Sequence, residues 1–157
     1  MRAVVQRVLS SRVIVAGEEV GAIGRGLLVL VGFAPTDDDD VLAWVAKKCV
    51  QLRIFSDAEG KMNRSVIDVR GDLLVVSQFT LYGDVRRGNR PSFGAAAPPD
   101  GATKAYQRFC ALASAELGKP VQTGRFGADM KVELTNDGPV TLWVERECEA
   151  PKAFTSQ

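Results

Sequence analysis

The chain has 157 residues, 46% of them hydrophobic and 25% charged, with 20 basic against 19 acidic side chains and a net charge of +1. This length and balance fit one globular domain with a conventional core, and they exclude a disordered segment and a strongly basic nucleic-acid coat. There is no histidine. A histidine triad, a histidine base and histidine metal ligands are therefore excluded, which leaves hydroxyls, amides, carboxylates, backbone groups or the substrate to do any chemistry.

Residues 1–7 carry charges where a secretory signal needs an apolar core, and no apolar run approaches the length of a membrane span. Val13-Ile14-Val15 and Val20-Gly21-Ala22-Ile23 flank a hairpin turn expected at Ala16-Gly17-Glu18-Glu19. Leu27-Leu28-Val29-Leu30-Val31 is continuously apolar, as in a strand covered on both faces. Thr36 is the expected cap of a first helix, with Asp37, Asp38 and Asp39 in its first turn, where the macrodipole favours negative charge. Leu42, Val45, Ala46, Cys49 and Leu52 form its buried stripe. The run of four aspartates is assigned to helix-start electrostatics and not to a cation site, since no turn chemistry converges their carboxylates.

Residues 56–61 read as a loop. Asp72-Leu73-Leu74-Val75-Val76 is a second central strand that delivers Ser77-Gln78-Phe79-Thr80 at its end. A glycine-rich basic stretch from Gly83 to Phe93 follows, with Arg86, Arg87 and Arg90. Pro98-Pro99-Asp100 opens a second helix whose face is Ala102, Tyr106, Phe109, Cys110, Ala113 and Leu117, and Gly118 and Pro120 close it. Met130, Val132 and Leu134 alternate with polar residues, and Val140, Leu142 and Val144 repeat the pattern. Asn136-Asp137-Gly138-Pro139 between them reads as a hairpin turn. Periodicity fades over residues 146–157, the expected tail of a single domain spanning 1–145. Two helices among seven or eight strands make an α+β fold with mostly antiparallel pairing. Cys49, Cys110 and Cys148 are odd in number and lack Cys-x-x-Cys spacing, as expected of reduced thiols in a cytoplasmic protein.

Residues 77–80 allow two readings. One is a strand end whose polar groups satisfy local backbone, which composition favours. The other is an oxyanion site built from backbone N–H groups and the Gln78 amide. Thr80 as a nucleophile lacks a histidine to activate it. The basic stretch is a solvated loop or, less commonly, a set of phosphate contacts. A cis Gly138–Pro139 peptide cannot be claimed from the dipeptide alone.

Taken in order, Ser77-Gln78-Phe79-Thr80-Leu81 and Asn136-Asp137-Gly138-Pro139-Val140-Thr141 resemble the D-aminoacyl-tRNA deacylases. Arg2-Ala3-Val4-Val5-Gln6-Arg7-Val8, Arg53-Ile54-Phe55-Ser56-Asp57, Arg90-Pro91-Ser92-Phe93 and Thr123-Gly124-Arg125-Phe126-Gly127-Ala128-Asp129-Met130 extend the resemblance to about Glu145. The resemblance implies two β layers, one wrapping the other, with two main helices on an outer face. It also implies a homodimer with its active site at the subunit interface; no cofactor and no metal ligands are expected, and whether a metal assists is not written in the sequence. The implied reaction is hydrolysis of the ester in D-aminoacyl-tRNA, at the 3′-terminal adenosine, and in mischarged glycyl-tRNA. Ser77, Gln78, Phe79 and Thr80 would then line the ester, and a cis Gly138–Pro139 peptide would enter the partner's site and exclude L-amino acids. Phe126, Met130 and Arg7 join substrate binding, and Arg86, Arg87 and Arg90 RNA binding. The ribose 2′-hydroxyl would assist catalysis. Two alternatives from other classes are a non-catalytic module that binds the tRNA 3′ end and a serine or threonine esterase on small molecules.

Overall fold

The elements run β1 (Arg2–Val15), β2 (Glu18–Ile23), β3 (Gly26–Gly32), α1 (Asp39–Gln51), β4 (Phe55–Ser56), β5 (Met62–Arg64), β6 (Asp72–Ser77), α2 (Pro99–Leu117), β7 (Gln122–Thr123) and β8 (Lys131–Glu145). The structure is a computed structural model and describes residues 1–148; residues 149–157, most of the expected tail, lie outside the described residues. Strand β1 organises the main sheet. One of its edges follows β8, and the other meets β3 and then β2, all antiparallel. β6 joins β3 in parallel, and β7 joins β6 in parallel. β4 and β5 form a separate small hairpin around residues 57–60.

The apolar runs of β3 and β6 are continuous because both of their faces are covered. Leu27, Val29, Val31, Leu73 and Val75 enter a core shared with α1 and α2, while Leu28, Leu74 and Val76 enter a second core on the opposite face. That second core is closed by Val8, Val13 and Val15 of β1, Ile23 of β2 and the start of β8, so one β layer wraps the other. The edges of the curled sheet nearly meet: a Cβ on Gly21 would lie 2.3 Å from the Thr123 carbonyl oxygen. β1 serves both cores because its alternation is reset. Ala3 and Val5 face the helices, yet Val13 and Val15 face the second core, and register irregularities between Gln6 and Ser10 account for the switch. Each fully buried valine or leucine contributes about 1.5–3 kcal/mol.

Both helices pack on the first core, with Val45, Ala46 and Cys49 of α1 and Phe109 and Ala113 of α2 fully buried. Pro98 caps α2, Pro99 occupies its first turn and Gly118 ends it, where the sequence put its limits. The start of α1 differs. Asp38, not Thr36, is the cap, and its Oδ1 accepts the Val41 N–H at 2.9 Å. Asp37 is withdrawn from the helix because its carboxylate accepts the Ala34 N–H at 2.8 Å and the Met1 amino group at 2.6 Å. Among the described residues no group of three or more acidic or cysteine side chains is arranged to hold a metal ion, and no helix is long and apolar enough to cross a membrane.

Candidate functional site

Beyond Ser77, the last residue of β6, the chain makes a single 3₁₀ turn over Phe79–Tyr82. The Gln78 N–H donates to the Val31 carbonyl at 2.7 Å, and the Leu81 N–H donates to the Gln78 carbonyl at 3.2 Å. The Phe79 and Thr80 N–H groups stand at the head of the turn, where helical geometry offers them no acceptor. The Gln78 amide donates to the Thr80 hydroxyl oxygen, so one of its two amide hydrogens is already engaged. Phe79 is 56% exposed and meets Phe93 edge to face with ring centroids 5.1 Å apart.

Ser77, Gln78 and Phe79 form one wall of a cleft of about 670 Å³. The ends of the parallel strands β3 and β6 supply its floor, as in other sheets where ligands gather beyond the carboxyl ends of parallel strands. The remaining walls come from Phe93, from residues 96–99 at the approach to α2, and from Phe126, Ala128 and Met130 ahead of β8. Phe126 leans on Tyr106 at 5.7 Å, and the buried Tyr106 hydroxyl donates to the Val75 carbonyl at 2.8 Å, which ties that wall to β6. Burial raises the Tyr106 phenol well above its ordinary value. Asp129, whose carboxylate is exposed and paired with Lys131 at 3.0 Å, is the charged side chain among the described residues lining the cleft. Burial pushes the Cys49 thiol up to about 12 and the Cys110 thiol up to about 11, and neither residue lines the cleft.

The hairpin turn expected at residues 136–139 does not form. β8 runs as one strand through this segment, paired with β1 on both sides of it. Gln6 opposes Thr141 and Val8 opposes Asn136, so residues 137–140 stand against Arg7 alone and bulge outward. The turn-forming residues are thus used for a bulge, because β1 is long enough to pair beyond them. The Gly138–Pro139 peptide is cis, and Gly138 has φ +124. Arg7, only 9% exposed, fixes the bulge: its Nε donates to the Asp137 carbonyl at 3.0 Å and meets the Asp137 carboxylate at 3.1 Å, while its Nη1 donates to the Ile54 carbonyl.

Within one chain the sequence-derived residues fall into three groups. Ser77, Gln78, Phe79, Phe126 and Met130 share the cleft, with Thr80 beside it. Arg7, Gly138 and Pro139 share the bulge and do not line the cleft. Arg86, Arg87 and Arg90 are exposed on a loop closed by the Asp84–Ser92 backbone pair and rooted at Phe93 on the cleft wall. Arg86 is held by Asp84 at 2.6 Å, and that guanidinium lowers the Asp84 carboxyl far below its usual range. Sequence reasoning missed Val31, Gly32 and Phe33 at the end of β3 and Ala96 and Ala97 before α2. The available signal was the parallel pairing of the two apolar runs, which brings their ends to one edge.

Residues 4–145 match the family model described as D-Tyr-tRNA(Tyr) deacylase. The chain is 56% identical to a D-aminoacyl-tRNA deacylase of Chloroherpeton thalassium, over 97% of this chain and 100% of that protein. It is 55% identical to a D-aminoacyl-tRNA deacylase of Salinibacter ruber, over 95% and 99%. A solved structure of a c-Myc DNA unwinding element binding protein superposes with a TM-score of 0.87 at 41% identity, covering 94% of this chain and 100% of that one.

Proposed function

The chain belongs to the D-Tyr-tRNA(Tyr) deacylase family, a family of enzymes, and from that premise we propose that it hydrolyses the ester joining a D-amino acid, or glycine, to the 3′-terminal ribose of tRNA. The observation that carries the reading is the pair of N–H groups at Phe79 and Thr80, left without acceptors among the described residues at the head of a turn beside a largely apolar cleft. Water adds to the ester carbonyl carbon, and the carbonyl oxygen takes the developing negative charge. The bond to the ribose 3′-oxygen then breaks, and that oxygen receives a proton. A well-aimed backbone donor stabilises such an oxyanion by about 3 kcal/mol. Phe79 N–H is the principal donor, and the free hydrogen of the Gln78 amide is a second.

An aminoacyl ester is already activated, so orientation and oxyanion stabilisation suffice without a strong side-chain base. The ribose 2′-hydroxyl, next to the scissile bond, carries the proton between water and the leaving oxygen. Thr80 takes no covalent part, because its hydroxyl oxygen accepts from Gln78 and no base stands beside it. Chiral selection falls to the Gly138–Pro139 bulge of a second copy, entering the cleft and occupying the space that an L side chain needs. The separation of bulge and cleft within one chain supports this homodimeric arrangement. The basic loop at the cleft mouth binds phosphates near the 3′ end, and the protein acts in the cytoplasm.

The test is release of amino acid from tRNA charged with a D-amino acid, with its L-enantiomer and with glycine. Hydrolysis of the D and glycyl substrates with the L substrate spared is the expected result. Binding of all three without hydrolysis would make the protein a 3′-end-binding module instead.

A further inference from the structure

Arg2 reaches the cleft turn from behind. Its neighbour Ala3 enters the helix-side core, so the Arg2 side chain leaves β1 on the opposite face. There its Nη1 donates to the Leu81 carbonyl at 3.0 Å, and its Nε donates to Glu145 Oε1 at 2.7 Å. The guanidinium also lies 4.4 Å from the centre of the Tyr82 ring. Leu81 and Tyr82 are the last two residues of the 3₁₀ turn whose first two present the unpartnered N–H groups.

Such a turn leaves its final carbonyls without a donor from within, and a guanidinium bond to one of them is of the stronger, charge-assisted kind. The turn also lies flat on Gly32. A Cβ there would stand 2.9 Å from the Gln78 carbonyl oxygen and 3.3 Å from side-chain atoms of Leu81 and Tyr82. Contact with Gly32 sets the height of the turn, and contact with Arg2 sets its tilt. Glu145 in turn holds Arg2, which anchors the turn to the end of β8. The same guanidinium keeps the Glu145 carboxyl below its ordinary range.

We infer that Arg2 is a positioning residue for the proposed deacylation: by fixing the Leu81 carbonyl it directs the Phe79 and Thr80 N–H groups toward the ester, without itself lining the cleft. The inference rests on the deacylase reading. A donor aimed at charge that develops only in the transition state acts on kcat and leaves substrate binding alone.

The experiment compares steady-state deacylation of D-aminoacyl-tRNA by the full chain with that of its Arg2→Met, Arg2→Lys and Glu145→Gln variants. Arg2→Met should lower kcat about tenfold with KM within about twofold of the parent, since a small misalignment of a reacting group is costly. Arg2→Lys restores one donor to Leu81 without the planar fork that also holds Glu145, and should leave kcat about two- to fivefold below the parent, whereas Glu145→Gln, which leaves the Leu81 bond in place, should stay within about threefold. A kcat for Arg2→Met within about twofold of the parent overturns the inference, as does a loss carried by KM or one that equals the unfolded fraction seen by circular dichroism. If Arg2→Met is unfolded at the assay temperature, Arg2→Lys decides: a two- to fivefold drop, roughly, in kcat alone supports the role, and parental kinetics overturn it. A parent chain that releases no D-amino acid sinks the deacylase reading itself. A parent that releases it, matched by Arg2→Met, sinks only the role of Arg2.

Discussion

Residues 77–82 and residues 136–141 both depart from strand geometry, but they are held in opposite ways. The turn at 77–82 lies beside a cleft with two backbone donors unspent, and its bonds are made to its own carbonyls, to Val31 and to Arg2. The bulge at 137–140 stands out from the paired strands, with Gly138 and Pro139 exposed, and is fixed from beneath by one buried arginine. One region offers hydrogen-bond donors in a recess; the other offers a fixed protrusion with no recess of its own. The difference is the reason the proposal assigns the chemistry to one region and the stereochemical choice to the other.

Disturbing the bulge alone gives the largest expected effect. In Gly138→Ala the new methyl group would lie 3.0 Å from Arg7 Nη2, at a backbone angle that L residues rarely adopt. Deacylation of D-aminoacyl-tRNA should fall on the order of 10²-fold in single-turnover assays, with a lowered thermal midpoint, since alanine at such a φ costs on the order of 1 kcal/mol. Parental rates in this variant would disconnect the bulge from the reaction.

The turn is probed from the substrate side. A tRNA ending in 2′-deoxyadenosine should react on the order of 10²-fold more slowly, the contribution of a positioned proton carrier. Thr80→Val should keep its rate to within about threefold, because the hydroxyl it loses has no activating base. An acyl adduct on Thr80 detected by mass spectrometry would reverse this assignment.

Arg7→Met separates support from shape. It removes a buried cation from Ile54 and Asp137 and should destabilise the fold by about 2 kcal/mol in urea titration. The Asp137 side chain remains 31% exposed, which keeps the cost below that of a fully buried pair. Deacylation should fall about tenfold. Unchanged stability would mean that the bulge holds itself.

Milder effects are expected at the cleft mouth. With Arg86, Arg87 and Arg90 as the phosphate contacts, log affinity for tRNA against log salt should have a slope of about −2 to −3. A slope steeper than about −5 would require a larger basic surface than this loop. Acid should loosen the same flank. Hydrogen bonds from Arg86 lower the Asp84 carboxyl, and those from Arg2 lower that of Glu145. A carboxyl lowered by folding stabilises the protein above its ordinary pKa, and that stabilisation is lost as pH falls through the folded value. Amide protection factors over residues 78–84, corrected for the intrinsic pH dependence of exchange, should therefore fall below about pH 4 and stay flat from about 5 to 8.

The extent to which the sequence disclosed these regions follows from how local their causes are. Helix α2 was legible because Pro98, Pro99 and Gly118 act on their own backbone. Strands β3 and β6 were legible because covering both faces leaves an unbroken apolar run. The start of α1 was displaced by two residues because the Met1 amino group, distant in sequence, engages Asp37. The supposed hairpin at 136–139 failed for the same kind of reason: its neighbours pair with β1 and not with each other. In the site, Ser77–Thr80 announced themselves at a strand end. Phe126 and Met130 came only through family resemblance, and the Val31–Phe33 floor depended on parallel pairing between runs more than forty residues apart.

Strand β1 also serves as a gauge between the two regions. Arg2 and Arg7 are five residues apart on it, about 17 Å in an extended chain, and because five is odd they leave opposite faces, one toward the turn and the other toward the bulge. Deleting one residue between them would put both guanidiniums on the same side, so that whichever anchor is kept, the other is lost. Deleting two would preserve the faces but shorten the span by about 7 Å. The distance from the anchor of the turn to the anchor of the bulge is thus written as a residue count along β1.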